Sequence, residues 1–335
     1  MILVTGGLGY LGSHIALYLM SKGHEVVLVD NLSQSSMETL ERLEYITKLY
    51  IPFIRLDVRN TPVLQKVFDQ YPIEYVIHTA GFKNLSESTL RPLEYYNNNL
   101  GCVMSVLRTL QRTGVKRLVN LSSLAVYGES GTAWQEDSAF NVEHHNPYIR
   151  AQQNIEHILR DTYTADSFWQ IINLRLSNVI GAYTDAQLGE WTPLLPKSVL
   201  PNLLQVAAQQ KDIFDLFHED LDTQDGSSER SYIHIMDVLD AVYKLMLWSN
   251  TQKNFLNSYN VASDQLTSLK QLIEKVEEVT QSSITTAPYE ASSTEIASLG
   301  ADTQKLKQEI DWSANFSVED AIRDQWKYYQ MVLAK

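Results

Sequence analysis

Cysteine is almost absent from this sequence of 335 residues: Cys102 is the only one, which excludes a disulfide within the chain. No apolar run approaches the roughly 18 residues of a membrane-spanning helix. Basic residues are also scarce, because 27 Lys and Arg stand against 40 Asp and Glu and leave a net charge of −13. The chain therefore lacks the basic face with which proteins bind nucleic acids or anionic membranes.

The beginning of the chain has neither a basic stretch nor a cleavable apolar segment, so we expect no secretion signal. Together with the single cysteine, this favours a cytoplasmic protein. The neighbouring His144 and His145 have no acidic or cysteine partner at ligand spacing, and we expect no metal site.

Strand and helix patterns alternate along the first half of the chain. Short apolar runs predict strands at 2–4, 26–29, 76–78, 118–121 and 171–174. Amphipathic stretches separate them, such as 13–22, which ends at Gly23, a residue suited to a helix C-cap. This alternation predicts an α/β fold with a doubly wound parallel sheet, the Rossmann arrangement.

The second half of the chain has a different character. Residues 183–201 contain three prolines and predict a loop, whereas 233–249, 266–280 and 317–333 predict helices. We expect a nucleotide-binding Rossmann domain over 1–176, completed by about 233–252. A smaller, partly discontinuous α/β domain over 177–335 would then bind the substrate, since ligands of open α/β sheets bind at the carboxyl edge of the strands.

A glycine-rich turn follows the first predicted strand and precedes the first predicted helix. Its glycines, Gly6, Gly9 and Gly12, let the chain turn tightly and bring backbone N–H groups to a pyrophosphate. Asp30 lies 18 residues after Gly12, at the end of the second predicted strand. A carboxylate there accepts hydrogen bonds from the adenosine ribose and repels a 2′-phosphate, so the pattern predicts NAD rather than NADP.

Six segments, which include the glycine turn and Asp30, resemble one known family along nearly the whole chain. They are TGGLGYLGSH at 5–14, Asp30-Asn31-Leu32, HTAGFK at 78–83, PLEYYNNN at 92–99, LSS with VYG at 121–128, and DGSSERSYIHIMD at 225–237. On these segments the chain resembles the extended short-chain dehydrogenase/reductases and, among them, the UDP-hexose 4-epimerases of the UDP-glucose/UDP-galactose type. The segment at 225–237 is largely peculiar to these epimerases.

The resemblance implies an NAD that stays bound and is not consumed. Asp57-Val58, after the third predicted strand, suits the adenine ring. The full set of residues for which the resemblance implies cofactor contact is Gly6, Gly9, Tyr10, Leu11, Gly12, Asp30, Asn31, Asp57, Val58, Ala80, Gly81, Lys83, Asn98, Tyr148 and Gln152.

For the reaction, the resemblance implies that Tyr148 takes the proton of the sugar 4-hydroxyl while a hydride passes transiently to NAD. Ser123 is implied to hydrogen-bond the same oxygen. The substrate contacts implied elsewhere are Asn178 and Arg230 to the UDP diphosphate, Phe217 stacked on uracil, and Tyr232 in the same pocket. An arginine fork suits phosphate oxygens, and an aromatic face suits a base. The resemblance also implies a homodimer through the helices around 89–112 and 150–163.

The sequence departs from the family at the catalytic signature Tyr-x-x-x-Lys. Tyr148 is followed at the lysine position by Gln152, and no lysine occurs between Lys116 and Lys197. A glutamine amide can hydrogen-bond a ribose hydroxyl, but it carries no charge to lower the pKa of the tyrosine. A tyrosine near its usual pKa of about 10 is only about 0.1% ionised at pH 7.

Further departures lie in the substrate-binding half. The family has an arginine-rich turn near residue 292, whereas residues 288–295 contain no arginine and include Glu290. Lys197 begins a segment where the family usually has Asn-Asn-Leu, and Leu299 stands at the position that often limits the sugar pocket.

Three functions stay open from the sequence. The first is NAD-dependent epimerisation at C4 of a UDP-hexose, weakened by Gln152. The second is a non-catalytic, NAD-binding homologue with a regulatory or partner role. The third, a 4,6-dehydratase, ranks last because that chemistry uses an Asp-Glu pair where this chain has Leu124-Ala125.

Overall fold

The computed structural model describes residues 1–190, 198–217, 220–289 and 296–334; the side chains of Phe217 and Tyr289 are excepted. The first elements are β1 (Ile2–Thr5), α1 (Tyr10–Ser21), β2 (Val26–Asp30), α2 (Met37–Thr47), β3 (Phe53–Arg55), α3 (Thr61–Gln70), β4 (Tyr75–His78), α4 (Leu85–Leu90), α5 (Pro92–Thr113), β5 (Arg117–Ser123), β6 (Gly131–Trp134), α6 (Pro147–Ala165) and β7 (Gln170–Leu176). The following elements are β8 (Asn178–Ile180), α7 (Val199–Ala207), β9 (Phe214–Phe217), β10 (Glu229–Arg230), β11 (Tyr232–His234), α8 (Ile235–Ser249), β12 (Phe255–Val261), β13 (Thr267–Ser268), α9 (Leu269–Thr280), β14 (Thr286–Tyr289), β15 (Ser298–Ala301), α10 (Gln304–Ile310) and α11 (Val318–Leu333).

A seven-stranded sheet dominates the first half, with the strand order β12-β7-β5-β4-β1-β2-β3. The pairs from β3 through β2, β1 and β4 to β5 are parallel. The central strand β4 and its neighbour β1 are buried throughout, as expected for a sheet with helices on both faces. The predicted doubly wound α/β fold is confirmed.

The chain divides into two compact units. The first comprises Met1–Val126, Asn146–Arg175 and Leu239–Tyr259. Its core is formed by aliphatic residues of β1, β2, α3 and α5, together with Trp169. The stretch 127–145, which the prediction included in the first domain, groups with the second unit because its strand β6 pairs with β15.

The second unit comprises Tyr127–His145, Leu176–Val238 and Asn260–Lys335. It contains a four-stranded sheet in the order β13-β10-β15-β6 and two parallel pairs, β11-β8 and β14-β9. Helices α7, α9 and α11 supply most of its apolar core. Among the residues that the structure describes, no helix has the length and the apolar character needed to cross a membrane.

Several predicted boundaries were wrong. The loop predicted over 183–201 ends earlier, because α7 begins at Val199 and contains Pro201. Proline is tolerated there since the first turn of a helix has no intrahelical partner for its N–H groups. The helix predicted from 233 begins at Ile235, and the one predicted from 266 begins at Leu269, because short strands occupy the residues before them.

Candidate active site

The glycine turn joins β1 to α1 in a tight path. Gly6 has a φ of +65°, and a Cβ atom on Gly12 would lie only 2.1 Å from the carbonyl oxygen of Gly6. No side chain therefore fits at Gly12, and the turn brings the backbone close to the beginning of α1. The N–H groups of a helix N-terminus and its partial positive charge are suited to a phosphate group.

Asp30, the last residue of β2, has its carboxylate fixed beside this turn. One oxygen accepts a hydrogen bond from the backbone N–H of Leu8 (3.1 Å), and the other accepts from the N–H of Leu32 (2.8 Å) and from Ser35 Oγ (2.9 Å). The residue is 8% exposed. A carboxylate held in this way is oriented before any ligand arrives.

The carboxyl ends of β1, β2, β3 and β4 surround a cleft that opens to solvent. Its lining contains Gly6, Gly9, Asp30, Asn31, Ser33, Gln34, Ser35, Leu56, Asp57, Val58, Thr79, Ala80, Gly81, Phe82, Asn98 and Cys102. Nine of the residues predicted to contact NAD are among them. The glycine turn and the fixed carboxylate of Asp30 lie together at this cleft, an arrangement that fits a dinucleotide.

Other predicted cofactor residues lie outside this lining. Tyr10, Leu11 and Gly12 form the first turn of α1. Lys83 is exposed, with its Nζ 5.7 Å from the centre of the Tyr10 ring. Tyr148 and Gln152 lie on α6.

Asp57 in the cleft is paired with an arginine. Arg59 Nη2 lies 2.5 Å from Asp57 Oδ2, and Arg59 Nε donates to Asp57 Oδ1 at 3.0 Å. Hydrogen bonding by Arg59 lowers the pKa of the Asp57 carboxyl. Cys102 lines the same cleft as a neutral thiol, because burial raises its pKa to about 12.

The loop after β4 is held by an asparagine that the sequence did not single out. Asn99 on α5 accepts a hydrogen bond from the N–H of Phe82 (2.8 Å) and donates one to the carbonyl oxygen of Phe82 (2.9 Å). The predicted cofactor residue Asn98 donates to Asn99 Oδ1 (3.1 Å). These bonds fix the part of the loop that lines the cleft.

The predicted base, Tyr148, lies in the first turn of α6 and is 7% exposed. Burial raises the pKa of its phenol above the usual value of 10.0, and hydrogen bonds from the side chains of Ser123 and Gln152 act in the opposite direction. The structure thus brings together Tyr148, Ser123 and Gln152. Both hydrogen-bonding groups are neutral, so neither supplies a positive charge to the phenol.

Gln152 itself is 8% exposed, and its Oε1 atom is buried without a hydrogen-bond partner among the described residues. An unpaired buried acceptor is uncommon in folded proteins. It suits the hydroxyl group of a bound ligand, which can donate the missing hydrogen bond.

A buried ion pair anchors α6 two turns beyond Tyr148. Arg175 on β7 donates from Nη2 to Glu156 Oε2 (2.7 Å) and from Nε to Glu156 Oε1 (3.1 Å). Ser122 on β5 donates to the same carboxylate (2.8 Å). The Arg175 and Glu156 side chains are only 2% and 5% exposed. One signal in the sequence was the lone arginine within the apolar strand pattern around 171–176.

The predicted substrate residues other than Ser123 and Tyr148 lie in the second unit. Asn178 is exposed at the start of β8, whereas Tyr232 on β11 is 4% exposed and packs in the core of this unit. Arg230 on β10 is 8% exposed, and its Nη1 donates to the carbonyl oxygens of Glu229 (2.8 Å) and Ala297 (3.2 Å). Leu299 on β15 is the register partner of Arg230.

Other predicted features of this unit are described less completely. Phe217 ends β9, but its side chain is not among the described ones. Lys197, Glu290 and the rest of 290–295 lie outside the described residues. Within the described ranges, no group of three or more His, Cys, Asp or Glu side chains is arranged to hold a metal ion.

Comparison with known proteins identifies the family of this chain. The model of the NAD dependent epimerase/dehydratase family matches residues 2–262. The chain belongs to this family. It is 34% identical to UDP-glucose 4-epimerase of Dictyostelium discoideum over 333 residues, which cover 98% of this chain and 96% of that protein. UDP-glucose 4-epimerase of Bacillus subtilis (strain 168) is likewise 34% identical, with the same coverage of both chains.

Solved structures of family members agree along the whole chain. UDP-glucose 4-epimerase from Bifidobacterium longum in complex with NAD⁺ and UDP superposes with a TM-score of 0.95 at 31% identity, over 98% of both chains. The enzyme from Stenotrophomonas maltophila, with bound NAD and formylated UDP-arabinopyranose, has a TM-score of 0.92 at 31% identity and covers 100% of this chain and 99% of its own. Membership of this family confirms the resemblance seen in the sequence.

Proposed function

We propose that this chain epimerises a UDP-hexose at C4, of the UDP-glucose/UDP-galactose type, with NAD as a tightly bound cofactor. The observation that carries the proposal is the similarity over nearly the whole chain to UDP-glucose 4-epimerases. It is supported by the cleft of the first unit, where Asp30 and the turn around Gly6 fit a dinucleotide.

In this reaction Tyr148 removes the proton from the 4-hydroxyl of the sugar and later returns it. Ser123 hydrogen-bonds the same oxygen, which is consistent with its hydrogen bond to the Tyr148 phenol in the structure. NAD, when bound, supplies a reversible acceptor for the hydrogen at C4. Gln152 holds the phenol with its amide and offers Oε1 to a ribose hydroxyl of the cofactor.

The proposed base starts from an unfavourable protonation state. Because burial raises the pKa of Tyr148 above 10.0, at most about 0.1% of the phenol is ionised at pH 7, and ionisation costs at least about 4 kcal/mol. Relative to a fully ionised phenolate, that free energy corresponds to a rate loss on the order of a thousandfold. We therefore propose slow turnover at neutral pH that increases in alkaline solution.

For the substrate we propose the roles that the family resemblance implies. Arg230 and Asn178 bind the UDP diphosphate, Phe217 stacks on the uracil and Tyr232 lines the same pocket. The exposure of Asn178 on β8 supports its part of this assignment. Arg230 Nη1 donates to two backbone carbonyl oxygens, which hold the guanidinium in place, and a guanidinium has five N–H donors in all.

We also propose that the chain forms a homodimer through α5 and α6. We further propose that it is cytoplasmic and acts in galactose metabolism. Three exposed apolar side chains support a partner there: Leu90 at the end of α4 is 82% exposed, Leu93 at the beginning of α5 is 79% exposed, and Met104 in the middle of α5 is 38% exposed. Light scattering at micromolar concentration tests the assembly, and a mass of 38.2 kDa for the particle contradicts it.

The decisive experiment is conversion of UDP-galactose to UDP-glucose by the purified chain, read as NADH formation by a coupled UDP-glucose dehydrogenase. Tyr148→Phe is expected to lower kcat by about 100- to 10,000-fold, the usual effect of losing a general base. Tyr163→Phe, on the same helix, is the matched control, since the Tyr163 hydroxyl donates only a long bond of 3.4 Å to the carbonyl oxygen of Asn254. A chain that binds NAD but converts no UDP-hexose at any pH contradicts the proposal and favours a non-catalytic role.

A further inference from the structure

One buried asparagine joins the helix of the proposed base to the segment that follows the cofactor-lining loop. Asn146 precedes α6 and is 0% exposed. Its Oδ1 accepts hydrogen bonds from the backbone N–H groups of Tyr148 (3.0 Å) and Ile149 (3.3 Å). The first of these donors belongs to the proposed base itself, so a shift of the cap displaces Tyr148 directly.

The same side chain also contacts α4. Asn146 Nδ2 donates to the carbonyl oxygen of Leu85 (3.1 Å). The fully buried Ser88 Oγ lies 3.1 Å from Asn146 Oδ1, and its single proton is directed to the closer Leu85 carbonyl oxygen (2.5 Å). Leu85 is the first residue of α4, three residues after Phe82, the last cleft-lining residue of the loop. One hydrogen-bonded path from α4, just after the cleft wall, to the base therefore includes this carboxamide.

Capping alone does not require asparagine at this position. Serine and aspartate cap helices about as well, because a cap needs only an oxygen that accepts from the first N–H groups. The bond to Leu85 needs a donor on the same side chain, and asparagine combines that donor with the acceptor. An aspartate would keep the cap and place an oxygen against the Leu85 carbonyl. The two backbone N–H donors at Oδ1 would favour the ionised form of the aspartate, which has no proton for that bond.

We propose that Asn146 is a positioning residue that fixes the Tyr148 phenol relative to the cofactor-lining loop at 79–82. The expected loss of kcat rests on the proposed epimerase function, whereas the position of Tyr148 relative to the loop does not. A displacement of about 1 Å in a catalytic group lowers a rate by up to about a hundredfold. The residues proposed to bind UDP are on other elements, so substrate affinity is expected to be retained.

The kinetic test compares Asn146→Asp and Asn146→Ser with Ser317→Ala. Ser317 caps α11 by accepting from the N–H of Asp320 (3.1 Å), and it controls for the loss of stability when a cap is weakened. Both Asn146 variants are expected to lower kcat by about ten- to a hundredfold, with the KM for UDP-galactose within about twofold of the wild type. Ser317→Ala is expected to retain kcat. A kcat within twofold of the wild type for Asn146→Asp overturns the proposal, as does an equal loss of kcat in Ser317→Ala.

A second measurement separates this inference from the proposed function. Hydrogen exchange of the peptide at 147–152 is followed with and without NAD. In the wild type NAD is expected to slow this exchange, and in Asn146→Asp the effect is expected to vanish while NAD still binds. If the wild type has no epimerase activity but shows this difference, the function proposal fails and the positioning role stands. Equal slowing in both proteins overturns the positioning role.

Discussion

Replacing Gln152 by lysine tests how the proposed base is activated. In the structure the Tyr148 phenol receives hydrogen bonds from the neutral side chains of Ser123 and Gln152, while burial raises its pKa above 10.0. A lysine ammonium about 4 Å from a phenolate contributes about 4 kcal/mol at an effective dielectric constant of about 20. Opposite charges at such distances lower a pKa by about 1–3 units.

The gain is expected to fall below that upper limit. Position 152 is 8% exposed, so the ammonium must itself be desolvated, which opposes its charge. We expect the pKa of Tyr148 to fall by one to two units and kcat at pH 7 to rise about ten- to a hundredfold, since each pKa unit is tenfold in phenolate. The thousandfold deficit at neutral pH would be reduced but not removed.

The assay is kcat for UDP-galactose as a function of pH, from about pH 6 to about pH 10. In the wild type the phenolate is the active form and its pKa is raised, so kcat is expected to increase tenfold per pH unit across this range. In Gln152→Lys the plateau is expected at a lower pH. Gln152→Met is the control: it has a similar length but no charge and no hydrogen bond, and its kcat at pH 7 is expected to fall below the wild type. Superimposable pH profiles for the wild type and Gln152→Lys would refute this reasoning.

Two further predictions concern the first unit. Asp30→Asn removes the charge that we propose accepts from the ribose hydroxyls. It is expected to weaken NAD binding by about tenfold or more, since hydrogen bonds to charged groups contribute about 1.5–3 kcal/mol. Calorimetric titration with NAD and with NADP measures both affinities, and an unchanged preference for NAD over NADP contradicts the ribose assignment. Glu156→Leu leaves Arg175 buried without its partner and is expected to lower the free energy of unfolding by about 3–5 kcal/mol in urea denaturation. The double variant with Arg175→Met is expected to recover most of that loss, and a double variant as unstable as the single one contradicts this account.

The nucleotide-binding end of the first unit could be predicted because its determinants are local. Gly6, Gly9 and Gly12 lie within seven residues of one another. The close approach that excludes a Cβ at Gly12 is to the carbonyl oxygen of Gly6, in the same short segment. Asp30 ends a strand whose apolar pattern is visible in the sequence, and β2 pairs directly with β1. A fixed spacing along the chain therefore becomes a fixed geometry in space.

The supports of the site could not be predicted, because they depend on pairs that only the fold brings together. Glu156 lies on a helix and Arg175 on a strand, 19 residues apart, and the local sequence pattern of neither element predicts this pairing. Asn146 reads in sequence as an ordinary helix cap, and its bond to the Leu85 carbonyl 61 residues earlier depends on how α4 packs against α6. Polar groups inside a core are specified by tertiary geometry, and one sequence carries little trace of them.

The structure also limits where the missing positive charge can come from. Tyr148 lies in the first turn of α6, and the partial charge of a helix N-terminus contributes about 0.3–1 kcal/mol at a typical site. That is less than one pKa unit, whereas ionisation of the phenol at pH 7 needs at least about 4 kcal/mol. Hydrogen bonds from Ser123 and Gln152 do not offset burial, since the pKa of Tyr148 stays raised with both in place. Further stabilisation of the phenolate would come from a charge that binding brings to the site, and the nicotinamide ring of oxidised NAD is the cation that the proposed reaction provides. The proposed reaction therefore makes activation of the base depend in part on the oxidised cofactor, since the helix that carries Tyr148 does not supply that charge.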